Sequence, residues 1–384
     1  MSRPNRIALI IIDGLGDRPI KELGERTPLE AAETPNMDYM ASNGLCGIVI
    51  PFKFKQDKTP TSEGTHAAIF NHLDNFLGRG PYEALGAGIN LKENDIAFRG
   101  NYAIINQKMN VIDRRAGRIK KTEHLSNLLS KEKIRGVRFI VKSSIGHRAV
   151  LVMRGKGLSE MVSSNDPKEN GKPARPIRAL SKEAVFTAEV LNEFLERAKD
   201  ILKREKANYI LLRGPGRYRK VPSFKERYSL NSYAIGSGGI YLGMPKTLGM
   251  KIITSKKMTG FSDTSVKDKI SILKKHLKKN SFVFCHIKGV DNLSHDGDFI
   301  GKKEFIERID KEIKGFDKNS LIIITGDHST LCVLKDHSSD SVPLLIYGGK
   351  KGKSSSFSEK ECRKGDLGKI KQERLLELIF GLLN

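Results

Sequence analysis

Residues 6–13 read RIALIIID, a run of aliphatic and largely β-branched side chains that stops abruptly on a carboxylate, Asp13. The pattern returns from Phe282 to Val290, closing on Asp291, and from Leu321 to Thr325, closing on Gly326, Asp327 and His328. A fourth run covers Val342 to Tyr347. Short continuous apolar runs of this kind read as parallel strands buried on both faces. Between them, Thr264 to Lys278 places Val266, Ile270, Ile272 and Leu273 at helical spacing, and Glu304 to Ile313 continues the pattern. Strand alternating with helix is the rhythm of a doubly wound α/β fold, a mostly parallel sheet with helices on both faces.

The middle of the chain reads differently. Polar punctuation at 163–176 (SSNDPKENGKPARP) precedes a predicted helix from Lys182 to Lys203 and a short strand from Tyr209 to Leu212, which ends in the turn Arg213-Gly214-Pro215-Gly216. This stretch is expected to form a smaller α/β domain inserted into the first. Gly348 to Ser358 is rich in Gly, Lys and Ser and reads as a surface loop, followed by an amphipathic closing helix from about Lys369 to Leu383.

With 384 residues and 38% apolar content, the chain has material for about two domains. The formal charge of +24 is spread along the sequence rather than gathered in a tail, which argues against global disorder. No run approaches the roughly 20 apolar residues of a membrane span, and the start, MSRPNRIALIIIDG, turns acidic too soon for a signal peptide. The expected setting is cytoplasmic, with no membrane partner. Cys46, Cys285, Cys332 and Cys362 show no C-x-x-C pairing and read as reduced thiols. So basic a chain could attract a polyanion, but no RNA-binding or helix-turn-helix signature accompanies the charge, so no nucleic-acid partner is expected. The sequence is compatible with a homo-oligomer.

Ligands of open parallel sheets gather at the carboxyl ends of the strands, where Asp13, Asp291, Asp327 and His328 all fall. One such residue would read as an ordinary turn or cap; three strands ending this way are harder to explain so. Asp291 and His295 lie four apart, on one side of any helical turn beginning there, and His337 follows the third strand. Two groups emerge: Asp291, His295 and His337 for one ion, and Asp13, Asp327 and His328 for another. Mixed oxygen and imidazole ligands suit Mn²⁺ or Zn²⁺ better than Ca²⁺, and paired ions about 4 Å apart suit displacement at phosphorus. In TPTSEGTHAA at 59–68, Ser62 stands where a loop enters a predicted helix, near the positive helix end. Alone it would be an N-cap; beside two ion groups it becomes a candidate nucleophile.

These pieces resemble the archaeal type of 2,3-bisphosphoglycerate-independent phosphoglycerate mutase, a branch of the alkaline phosphatase superfamily. The matching segments are IIDGLGDRP (11–19), TPLEAAETPNMD (27–38), GRGPYEALGAGI (78–89), DRRAGRI (113–119), GHRAVLVMRG (146–155), LLRGPG (211–216), HIKGVDNLSHDGD (286–298) and GDHST (326–330). They run in order across nearly the whole chain. The resemblance implies an alkaline-phosphatase-like domain over 1–78 and 245–384, with a substrate-binding domain, 79–244, inserted into it. The Gly-rich segment Gly236 to Gly243 helps place the second cut. It implies two divalent ions, most often Mn²⁺ and sometimes Zn²⁺ or Co²⁺, and no 2,3-bisphosphoglycerate. By motif, Asp13, Ser62, Asp327 and His328 would hold one ion and Asp291, His295 and His337 the other. The implied reaction interconverts 3-phosphoglycerate and 2-phosphoglycerate, in glycolysis and gluconeogenesis, through a phosphoserine at Ser62, the inserted domain closing over glycerate to keep water away.

A substrate carrying a carboxylate and a phosphate asks for guanidinium groups. Arg148 and Arg213 lie in matched segments, with His147 beside the first; Arg114, Arg115 and Arg118 are weaker candidates, as surface arginines are ordinary in so basic a chain. Lys267, in GFSDTSVK, is expected to face the site, and Asp166 to bind glycerate or take its proton. The chain also departs from the family pattern. Thr61-Ser62-Glu63-Gly64-Thr65-His66 stands where G-S-D-T-A-H is usual, Asp166-Pro167-Lys168 where relatives carry D-P-H, and Leu331-Cys332 where Pro-Cys follows GDHST. None of these touches the seven ion-associated positions. The altered loops leave room for a phosphomonoesterase or phosphonate-cleaving hydrolase with the same ion site, and the charge for an inactive nucleic-acid-binding protein on the same fold. A Rossmann dehydrogenase is excluded, because DGLGDRP lacks the G-x-G-x-x-G turn.

Overall fold

The computed structural model describes residues 6–383, so the first five residues and the last one of the expected domain bounds lie outside it. Two compact units form. The first takes in the described residues up to Phe76, Pro222–Ser237, and Leu248 onward; the second takes in Leu77–Val221 and Gly238–Thr247.

The first unit is built on an eight-stranded sheet in the order Lys251–Ile253, Asn231–Ile235, Ser281–Ile287, Arg6–Ile12, Leu321–Thr325, Val342–Tyr347, Gly44–Ile50, Gly368–Lys371. Arg6–Ile12 lies between two parallel neighbours, with Ile12 opposite Ile287 and Ile11 opposite Thr325, so three strand ends finish side by side. Ala8, Ile10 and Ile12 pack in a core with Ile270 and Leu273 of the helix Val266–His276 and Phe305, Ile306 and Ile309 of the helix Phe299–Glu312. On the other parity, Phe284 meets Phe70, and Phe282 meets Phe224 of the helix Phe224–Tyr228. Helices therefore cover both faces, as the strand composition requires.

Three expectations about strand direction, the closing helix and the inserted segment need correction. Val342–Tyr347 runs antiparallel to both its neighbours. The chain before it, 326–341, forms a small hairpin of Ser329–Leu331 and Asp336–Ser338 rather than the helical crossover a parallel partner needs. The closing helix is shorter than expected: Gly368–Lys371 is an edge strand pairing with Gly44–Ile50, and the helix is Leu375–Gly381. Lastly, the expected inserted segment is not continuous. Asn231–Ile235 joins the first sheet, parallel to Ser281–Ile287, before Gly239–Thr247 returns to the second unit.

The second unit is an antiparallel sheet centred on the ten-residue strand Ile96–Ile105, flanked by Arg148–Arg154 and Tyr209–Arg217. The latter continues through Arg213-Gly214-Pro215-Gly216, which therefore is not a turn; its register instead shifts between Ala97 and Arg99. Phe98 and Tyr102 face a core closed by the helix Val185–Leu202, within which Phe139 stacks on Phe194 at 4.2 Å. The opposite face carries Arg99 and Asn101, and part of it is covered by the helix Arg79–Gly86. That helix lies directly on the strand because Gly80 has no side chain; a Cβ there would sit 2.0 Å from the Ala97 carbonyl oxygen.

Candidate active site

The three adjacent strand ends of the first unit deliver Asp13, Asp327 and His328, all fully buried. Asp13 is held by its own backbone N–H, which donates to the Ile287 carbonyl at 2.9 Å. His328 Nε2 stands 3.5 Å from Asp13 Oδ1 and 3.4 Å from Asp327 Oδ2. These three atoms have no hydrogen-bond partner among the described residues. The remaining oxygens are occupied: Asp327 Oδ1 accepts from the N–H groups of Gly14 (3.2 Å) and His328 (3.0 Å), and Asp13 Oδ2 accepts from Lys288 (2.9 Å). Buried polar atoms are normally satisfied, so three unsatisfied ones facing each other ask for a further group. Two ligand atoms bound tetrahedrally at the usual zinc distances lie about 3.4 Å apart, so the spacing and the donor set both fit a divalent ion.

Electrostatics points the same way. Burial, then the charges of Asp13 and Asp291, push Asp327 well above the usual carboxylate range. Burial and the neighbouring His337 pull His328 down to about 3, keeping its ring neutral. Such a pocket holds more negative charge than its own cations neutralise, and neutral imidazole with carboxylate is the ligand form a metal takes.

The second group gathers on Asp291, in the first turn of the helix Gly289–Asp296. Its Oδ1 lies 3.4 Å from His295 Nε2 and 3.6 Å from His337 Nε2, and accepts from the Thr330 hydroxyl at 2.8 Å. Each histidine turns its other ring nitrogen to a carbonyl: His295 Nδ1 to Lys335 at 2.8 Å, His337 Nδ1 to Pro60 at 2.9 Å. An Nδ1–H donated to a carbonyl fixes the tautomer and leaves Nε2 as the ligand atom. Burial works against the charged form of His337, but the hydrogen bond and charge of Asp291 prevail and raise it to about 9, so its Nε2 has to give up a proton before it can serve as a ligand. His337 also stacks on His328, ring centroids 3.8 Å apart, so the two groups adjoin.

Ser62 is the first residue of the helix Ser62–Ile69; its N-cap is Thr61, whose hydroxyl accepts from Gly64 N–H. The bond from His337 to the Pro60 carbonyl ties this helix start to the second group. Lys267, by contrast, is exposed on the first turn of Val266–His276, in a shallow groove with Arg308 and Glu312, and no described contact joins it to the Asp/His groups.

Residue spacing gave no sign of several supports. His66 Nδ1 bonds to the Ser62 carbonyl at 2.8 Å and lies 3.6 Å from Asp327 Oδ2; His286 Nε2 is 3.2 Å from Asp13 Oδ2. Lys302, wholly buried, donates to the carbonyls of Gly14 (3.0 Å), Gly16 (3.3 Å) and Thr330 (2.9 Å) and to Asp17 Oδ2 (2.9 Å). A histidine inside an apolar strand and a lysine on the inner face of a helix were the available signals.

The second unit holds an arginine cluster. Arg99 pairs with Arg213 across the sheet, and Asn101 with Arg148. Glu83 is 3.1 Å from Arg79 Nε and 3.8 Å from Arg99 Nε, and Asp166 takes Arg114 through both oxygens, at 2.9 and 2.7 Å, and Arg213 at 3.3 Å. Arg79 and Arg99 belong to the cluster although spacing did not single them out; a charge inside the apolar strand Ile96–Ile105 was the clue. Asp166 anchors two of these arginines. Burial opposes its charge, but Arg114, the Lys168 N–H and Arg213 hold it below the usual range with both oxygens engaged. His147, pulled down to about 4 by burial and then by Arg148, is a neutral ring at the edge. Arg99 is only 9% exposed, its Nε unbonded among the described residues. Arg79, Arg99, Arg114, Arg148 and Arg213 thus stand against two carboxylates, Glu83 and Asp166, an excess of positive charge. Replacing Arg213 by Ala is expected to raise the Michaelis constant for a phosphorylated carboxylate about tenfold or more through loss of charge-assisted bonds; unchanged steady-state constants would remove Arg213 from the site.

Fold and site together define a metal-dependent enzyme, and the family pattern of the Metalloenzyme superfamily matches residues 5–381. A 2,3-bisphosphoglycerate-independent phosphoglycerate mutase of Pyrococcus abyssi is 40% identical over 400 residues, covering 98% of this chain and 97% of that protein. The protein of the same name from Methanococcus aeolicus is 39% identical, with 98% of each covered. The solved cofactor-independent phosphoglycerate mutase of Thermoplasma acidophilum superposes with a TM-score of 0.71 at 30% identity, covering 99% of this chain and 100% of that one. The chain belongs to the 2,3-bisphosphoglycerate-independent phosphoglycerate mutase family.

Proposed function

We propose that this chain interconverts 3-phosphoglycerate and 2-phosphoglycerate with Ser62 as the phosphoryl carrier. Asp13, Ser62, Asp327 and His328 would hold one divalent ion and Asp291, His295 and His337 the other, Mn²⁺ foremost, with no need of 2,3-bisphosphoglycerate. The observation that carries this reading is the set of three buried, unpartnered ligand atoms, Asp13 Oδ1, Asp327 Oδ2 and His328 Nε2. Bound ions would supply Lewis-acid stabilisation of the serine alkoxide and the phosphoryl oxygens.

The protein's own groups do the rest. Ser62 sits at the positive end of its helix, which favours the alkoxide, and its Oγ takes the phosphoryl group while the substrate oxygen leaves with a proton. Arg148 and Arg213, joined by Arg79, Arg99 and Arg114, hold the glycerate carboxylate, with His147 at the edge; the other hydroxyl then takes the group back. Asp166 orients Arg114 and Arg213. Lys267 is retained only as a more distant cation. Among the described residues no helix is long and apolar enough to cross a membrane; a cytoplasmic, glycolytic setting is part of the proposal and rests on the kinship with phosphoglycerate mutases.

An enolase-coupled assay supplied with 3-phosphoglycerate and Mn²⁺, without bisphosphoglycerate, tests the reading. Product is expected with Mn²⁺ and none after EDTA treatment. Release of inorganic phosphate in place of 2-phosphoglycerate would assign the chain to the hydrolases instead.

A further inference from the structure

Lys288 follows the Ser281–Ile287 strand directly and precedes the helix that carries Asp291. Its ammonium lies 2.9 Å from Asp13 Oδ2 and 2.6 Å from Asp291 Oδ2, spanning one carboxylate from each ligand group. The division of oxygens is regular: each Oδ2 faces Lys288, while Asp13 Oδ1 faces His328 and Asp291 Oδ1 faces His295 and His337. The side chain is 19% exposed.

We infer that Lys288 is a positioning residue that sets the ion affinity of both groups: it turns each aspartate so that a single oxygen is offered inward, and its charge lowers the affinity of both sites for divalent cations. Two like-charged carboxylates brought to one ammonium are relieved of mutual repulsion, and a fixed positive charge within a few ångströms of a dication opposes it strongly when water is scarce. The site therefore releases and rebinds ions more readily than its carboxylates alone would allow. This rests on the two-ion reading.

The test uses the full chain, treated with EDTA and titrated calorimetrically with MnCl₂. Lys288→Met is expected to bind Mn²⁺ at least tenfold more tightly than the unaltered protein, and to unfold at a lower temperature before Mn²⁺ is added. Lys288→Arg, which keeps the charge, is expected to restore both values. Tighter binding separates this role from a merely structural one, because loss of packing would weaken ion uptake. If the methionine variant fails to fold, Lys288→Gln carries the same expectation. Equal or weaker Mn²⁺ binding by the neutral variants would overturn the assignment to Lys288 alone. No Mn²⁺ uptake by the unaltered protein would overturn the two-ion reading as well.

Discussion

Ser62→Ala protein is expected to lose mutase turnover by about 10⁴-fold or more, the scale on which enzymes lose rate when a covalent nucleophile is removed. The substitution deletes one oxygen from the first turn of the Ser62–Ile69 helix and leaves its cap alone, since Thr61 supplies the N-cap hydroxyl. Stability should change little. Ion content should persist as well, because the six Asp and His side chains of the two groups are untouched. Turnover in the enolase-coupled assay, Mn²⁺ content by elemental analysis and the unfolding temperature separate loss of chemistry from loss of fold. Appreciable residual turnover in a clean preparation would remove Ser62 as the carrier.

Strand ends were legible in the sequence because their physics is local: a run buried on both faces must be apolar until it leaves the sheet, and the first polar residue marks the edge. Asp13, Asp327 and His328 could be read in this way, and the i, i+4 spacing of Asp291 and His295 announced a shared helix face. The direction of Val342–Tyr347 could not, since an apolar strand reads alike in both directions and the deciding hairpin at 329–338 lies in a polar stretch. Nor could the return of Asn231–Ile235 to the first sheet, a pairing made across 50 residues with Ser281–Ile287. The supports were hidden for another reason. Lys288 and Lys302 look like two among many lysines in a chain of net charge +24, and only burial against particular carboxylates and carbonyls distinguishes them. Asp166 was found, but spacing does not show that Arg114 and Arg213 engage both its oxygens.

Lys302→Met is expected to destabilise the protein by about 3–5 kcal/mol, the cost of leaving one member of a buried ion pair without its partner. The loss goes beyond Asp17. Lys302 comes from the helix Phe299–Glu312 and gathers the carbonyls of Gly14, Gly16 and Thr330, joining the loop after Asp13 to the strand whose hydroxyl bonds Asp291. Backbone carbonyls in a dry interior have no water to fall back on, so a methionine of similar length fills the space but satisfies none of them. Asp13 and Thr330 would then be held less firmly, and Mn²⁺ binding should weaken. Lys288→Met is expected to shift ion affinity the opposite way, although both changes remove one lysine charge, Lys302 beside Asp17 and Lys288 beside Asp13 and Asp291. The contrast separates geometry from charge: Lys302 is bonded to the scaffold beneath the ligands, and Lys288 to the ligands themselves. Urea unfolding and Mn²⁺ titration of Lys302→Met check both parts. A midpoint equal to that of the unaltered protein, with unchanged ion affinity, would show that the loop after Asp13 holds its shape without the brace.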